Sequence, residues 1–165
     1  MNSAARKLLV ALIGVSAILV VRYDLRAQLG MPPGLPVPTT PTAQRNALNL
    51  LRSQVNSLCN ATQVAPSYAT GSYGLVLQQF QLLRRTFNDF RATLPPDKVA
   101  MAANDLAELG SGLDILQEGF SGYLQDVAAG RSPTAAFQTL CDDLNEAAGV
   151  WLQKLNSTAD RLNLL

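Results

Sequence analysis

Two cysteines, a pair of carboxylates one helical turn apart and a line of aromatic rings are the residues of this chain whose types and spacing could do chemistry. Cys59 and Cys141 form an even pair. In an oxidising compartment they are expected to join as a disulfide, closing a loop of about 80 residues and stabilising the fold by roughly 4 kcal/mol at most on the chain-entropy account. The alternative is two small buried hydrophobes that never meet. A catalytic thiol needs a neighbour that lowers its pKa, and Asp142 and Asp143 beside Cys141 do the opposite. Asp114 and Glu118 share a helix face, the geometry of a hard-cation site or a general acid–base pair. Their alternative, like that of Asp105, Glu108, Asp126, Asp142, Asp143 and Glu146, is a solvated face, with Arg84, Arg85 and Arg91 as partners. Tyr73, Phe80, Phe87 and Phe90 face Phe120, Tyr123 and Trp151 across two later helices. Of these, Phe80, Phe87, Phe120, Tyr123 and Trp151 would line an apolar ligand site; the simpler reading is that they are core.

Composition removes most other chemistries. The 165 residues contain no histidine, which excludes Ser-His-Asp and Cys-His nucleophiles, HExxH zinc sites, Glu-x-x-His di-iron sites and CxxCH haem attachment. Thirteen basic residues against twelve acidic ones leave no electrostatic footprint for nucleic acid. Gly71-Ser72-Tyr73-Gly74 lacks the Lys-Ser/Thr of a phosphate loop. Asn60-Ala61-Thr62 and Asn156-Ser157-Thr158 are glycosylation sequons that matter only in a eukaryotic secretory host. No catalytic, cofactor-binding or metal-binding set is therefore assigned, and the chain is expected not to be an enzyme.

The N-terminal residues carry an address. Arg6 and Lys7 precede an unbroken apolar run from Leu8 to Val21, which is the pattern of a secretory signal and falls short of the ~20 residues of a comfortable membrane span. Cleavage after Ala27 would remove residues 1–27 and leave a mildly acidic remainder. Retention would instead anchor the chain in a membrane through residues 8–21. Residues 28–41 follow as a Pro-rich linker, with Pro32, Pro33, Pro36, Pro38 and Pro41 favouring an extended polyproline spacer over a groove-binding ligand.

From Thr42 to Leu165 the apolar residues recur in steps of three and four, the period that keeps one helix stripe facing a partner. The spacing predicts helices over 42–62, 72–94, 97–129 and 133–163. Their stripes run through Leu48, Leu51, Val55 and Leu58; through Tyr73, Val76, Phe80, Leu83, Phe87, Phe90 and Leu94; through Val99, Ala102, Leu106, Leu109, Leu113, Leu116, Phe120, Tyr123 and Val127; and through Cys141, Leu144, Ala148, Trp151, Leu155, Thr158 and Leu162. Pro95 and Pro96 interrupt the chain before Asp97, expected as an N-cap. Gly130, Ser132 and Pro133 suit a helix end, an N-cap and a first helical position. Short connections favour an all-α, antiparallel up-down-up-down four-helix bundle. The third and fourth helices exceed the first in length, so a bend at Gly110, Gly112, Gly119 or Gly122, or a protruding hairpin, is expected.

The leading functional expectation is a secreted or cell-envelope protein with a structural or interaction role, partnered by another protein or by itself. A carrier or sensor of an apolar ligand comes second, and an enzyme using carboxylates alone comes last.

Overall fold

A computed structural model describes residues 39–64 and 72–164. The signal or anchor segment, nearly all of the Pro-rich linker and the connection after the first helix lie outside the described residues. Among the described residues all regular structure is helical: α1 (Pro41–Val64), α2 (Ser72–Thr93), α3 (Pro96–Met101), α4 (Ala103–Ala128) and α5 (Pro133–Arg161). No helix among them is long and apolar enough to cross a membrane.

Local chemistry accounts for the ends. Pro41 opens α1, where its missing N–H costs nothing, and the Thr40 hydroxyl accepts the Ala43 N–H at 3.2 Å. α4 ends at Gly130, whose φ of 95° is the left-handed conformation; Gly130 N–H donates to the Val127 carbonyl and Arg131 N–H to that of Asp126. α5 closes in the same way without glycine: Asn163 takes φ 51°, Leu164 N–H donates to the Ala159 carbonyl at 3.0 Å, and the Leu164 side chain is buried. Pro133 occupies the first turn of α5, but the Ser132 side chain makes no capping bond there.

The region expected as one helix over 97–129 is two. The chain breaks at Ala102, with φ −108° and ψ 19°, and all four glycines proposed as bend points lie inside continuous α4. Pro95, not Asp97, sits at the N-cap of α3, and Asp97 falls in the first turn. The break turns Ala102 into the core while Val99, expected on the stripe, and Met101 stay exposed. It also lays Lys98 across the end of the molecule. The Lys98 ammonium donates to the Leu162 carbonyl at 2.8 Å and to Gln44 Oε1 at 3.1 Å, placing a cation at the C-terminal end of α5.

The four long helices share one apolar core. α1 packs closely on α2 and on α5, and α4 packs closely on α5; of the neighbouring pairs of long helices, α2 and α4 pack least closely. Leu51, Val55 and Leu58 of α1, Leu83 and Phe90 of α2, Leu109 and Leu113 of α4, and Leu144 and Leu155 of α5 are essentially inaccessible. Each such side chain contributes about 1.5–3 kcal/mol on burial. The expected stripes are therefore the buried faces, apart from exposed Val99 and half-buried Tyr73, Tyr123 and Val127.

Candidate functional site

The cysteine pairing requires correction, because Cys59 and Cys141 are both free thiols. The reason is register. Arg52 Nε donates to Asn156 Oδ1 at 2.8 Å, and Lys98 links Gln44 to the end of α5, so α1 and α5 run antiparallel. In that register Cys59 lies level with Ala148, about seven residues from Cys141, or ~10 Å along the axis at ~1.5 Å per residue. A disulfide requires Cα atoms within roughly 7 Å. Burial pushes both thiols up, Cys141 to about 11 with Asp142 adding to the effect, which makes them poor nucleophiles.

The aromatic residues fall into two groups. Near the α4–α5 turn, Tyr73 stacks on Tyr123 at 4.9 Å between ring centroids, Phe80 tilts against Phe120 at 5.2 Å, and Phe137 meets Tyr73 and Tyr123 edge-on. Further along, Phe87 meets Trp151 edge-on at 5.7 Å. The rings occupy the wide α2–α4 seam themselves. The five residues expected to line an apolar site are thus split between the groups, Phe80, Phe120 and Tyr123 in one and Phe87 and Trp151 in the other.

Of the carboxylates, Asp114 is held by Arg84 of α2 at 2.7 Å, both side chains largely exposed, and Arg84 also reaches Gln117; such a pair is worth ~0–1 kcal/mol. Glu118 stays exposed and is not drawn into this contact. Among the described residues no group of three or more Cys, Asp or Glu side chains is arranged to hold a metal ion. Asp105, expected on a solvated face, is buried. It accepts Lys154 of α5 at 2.9 Å and Arg161 at 2.5 Å, and Lys154 also bonds Glu108. The Lys154 hydrogen bond, reinforced by Arg161, outweighs burial and holds the Asp105 carboxyl below its usual range; the same contacts raise Lys154.

A surface groove lies beside this cluster, on the outer face of the α4–α5 pair. It measures about 520 Å³ and is floored by Leu109, Gly112, Ala147 and Trp151, with Ile115 on one wall and Val150 on the other. Ile115 is 63% exposed and Val150 64%, large values for side chains with nothing polar to solvate. Its rim carries Asp143 and Glu146 on one side and the Glu108–Lys154 pair at one end.

Gly112 explains how the floor is made. In a helix the side chain at i+3 covers the carbonyl at i, so a glycine at 112 leaves the Leu109 carbonyl uncovered. The Trp151 indole fills that place and donates to the carbonyl at 2.7 Å. A Cβ on Gly112 would stand 2.8 Å from Trp151 Cδ1, so no other residue admits the indole in this position.

Sequence reasoning found Trp151 but missed Ile115 and Val150. Both are apolar residues one position before a stripe residue, Leu116 and Trp151, and apolar side chains off the stripe were the available signal. Comparison with protein families, with curated proteins and with solved structures finds no match for the chain.

Proposed function

We propose that this chain is an exported, non-catalytic interaction protein of the cell envelope or extracellular space, built as an up-down-up-down four-helix bundle that docks a partner protein on the outer face of α4 and α5. The observation that carries this is the exposure of Ile115 and Val150 on the two walls of a groove whose floor is the Trp151 indole. Contiguous apolar surface rimmed by charge is a mark of interaction sites on soluble domains. Export is supported by Arg6 and Lys7 before the apolar run from Leu8 to Val21. A carrier role has less support, since the rings of the α2–α4 seam contact each other at stacking and edge-on distances.

The test is a photo-crosslinking side chain placed at position 150 of the full chain in its native host, with exposed Asn49 on α1 as the control position. A discrete protein adduct from position 150, lost when Ile115→Ser is added and absent from position 49, is expected. Equal adducts from both positions, or none from 150, would remove this reading. The intact mass of the recovered protein tests export separately, a chain starting at Gln28 being the expected result.

A further inference from the structure

The groove has a length and a charge, and together they describe what fits it. We propose that its occupant is a basic amphipathic helix of a partner protein, whose apolar side chains seat on Ile115, Val150 and Trp151 and whose Lys or Arg side chains face Asp143 and Glu146. This inference rests on the interaction reading above and gives the partner its chemistry.

Length comes first. The groove follows α5 from Asp143 to Lys154, which at ~1.5 Å per residue is about 16 Å, or three helical turns. An occupant helix would lay residues spaced i, i+3, i+4 and i+7 along it, the recurring mode by which helices fill apolar grooves.

Charge decides which helix. Three carboxylates, Glu108, Asp143 and Glu146, stand on the rim against one ammonium, Lys154. Lys154 is already engaged by Asp105 and Glu108. Asp143 and Glu146 are exposed and have no basic partner among the described residues. An apolar helix flanked by cations therefore gains attraction at both carboxylates, and one flanked by Glu or Asp meets repulsion, so the rim selects by sign. The same sign argues against a second copy as occupant: two such faces brought together by a two-fold axis would bring their uncompensated carboxylates into one interface.

The chain's single tryptophan lies in the floor and supplies the readout. The full chain is titrated with three tryptophan-free synthetic peptides of about four helical turns: a Lys-flanked amphipathic helix, the same apolar face flanked by Glu, and a Lys peptide of identical composition with its apolar residues scrambled. Trp151 emission and calorimetry are followed at about 50 mM and about 500 mM salt. The Lys-flanked helix is expected to bind at least tenfold more tightly than the other two, with the advantage shrinking at high salt. The Asp143→Asn, Glu146→Gln double variant is expected to bring the Lys-flanked and Glu-flanked peptides within about twofold. Its circular dichroism and melting temperature should be unchanged, since both residues are solvent-facing.

Equal binding of the Lys- and Glu-flanked helices would overturn the charge assignment while leaving the groove as an apolar docking face. Binding of the scrambled peptide as tightly as the ordered one would overturn it by showing attraction without seating. No binding by any peptide would overturn it as well, and the adduct from position 150 would then decide separately whether the groove docks a protein at all. A dimer in sedimentation equilibrium that disappears on Val150→Ser would assign the face to a second copy instead.

Discussion

α4 presents one side to α2 and another to α5, and the two contacts differ in kind. Toward α2 it carries Phe120 and Tyr123, which meet Phe80 and Tyr73 across a seam where the backbones pack less closely than elsewhere between neighbouring long helices. Toward α5 it carries Gly112, where a single indole lies against the helix and reaches a main-chain carbonyl. Large residues hold two helices apart and then fill the interval, with Phe80 and Phe120 buried and Tyr73 and Tyr123 half-buried. A glycine lets two helices close on one side chain, and the residues flanking that contact, Ile115 and Val150, are left facing water. The seam is where the molecule invests in its own stability. The groove is where apolar surface stays exposed.

Substitutions in the two regions should separate these roles. Phe120→Ala empties the centre of the seam, removing ring contacts to Phe80 and Tyr73, and is expected to cost about 3–5 kcal/mol. Thermal unfolding should show a fall in Tm of more than ~10 °C. Val150→Ser, which changes a side chain as apolar but mostly exposed, should move stability by no more than about 0.5 kcal/mol. Comparable losses from the two would end the distinction between a closed seam and an open groove.

Gly112→Ala tests the contact that makes the groove. Its Cβ cannot share space with Trp151 Cδ1, so the indole must shift and give up its bond to the Leu109 carbonyl. An expected cost of about 1–3 kcal/mol follows from overpacking. Trp151 emission should move at the same time, because the ring leaves its buried setting. Gly122→Ala is the control on the same helix, since a Cβ there meets nothing within 4 Å. An unchanged emission spectrum in Gly112→Ala would show that the indole does not depend on the missing side chain.

The seam was far more legible in the sequence than the groove, for a physical reason. Phe80, Phe87 and Phe120 lie at helical spacing with Leu and Val around them, and periodicity reports which face of a helix is buried. It does not report the register between helices, and the disulfide expectation failed there: Cys59 and Cys141 belong to adjacent antiparallel helices yet sit about two turns apart in level. Nor does it report where a helix restarts. Ala102 continues the stripe of α4 without interruption, and the break appears only once Lys98 is seen reaching α5. Asp105 escaped for a similar cause. It precedes Leu106 at the edge of the stripe, and partners 49 and 56 residues away decide whether such a carboxylate is solvated or buried.

Asp105 lies beside the groove and shares Lys154 with the rim carboxylate Glu108. The Asp105 carboxyl is held below the ordinary value, so the ion pair stabilises the fold fully above the unfolded carboxylate pKa of about 3.9 and is lost as pH falls through the lower folded value. Lys154 is raised, so its share is complete below about pH 10.4 and is lost as pH rises through the higher folded value. The Tm difference between wild type and Asp105→Asn should then be a plateau from about pH 5 to pH 9 that narrows toward zero under more acid conditions. A height of a few degrees is expected, because Lys154 and Arg161 remain partly exposed to water that can resolvate them. In the variant Lys154 keeps Glu108 as its remaining carboxylate, so peptides flanked by Lys should meet a less fully neutralised ammonium and bind slightly less well. A Tm difference that stays constant as the pH is taken down through the acid unfolding range would show that the stabilisation does not depend on the Asp105 charge.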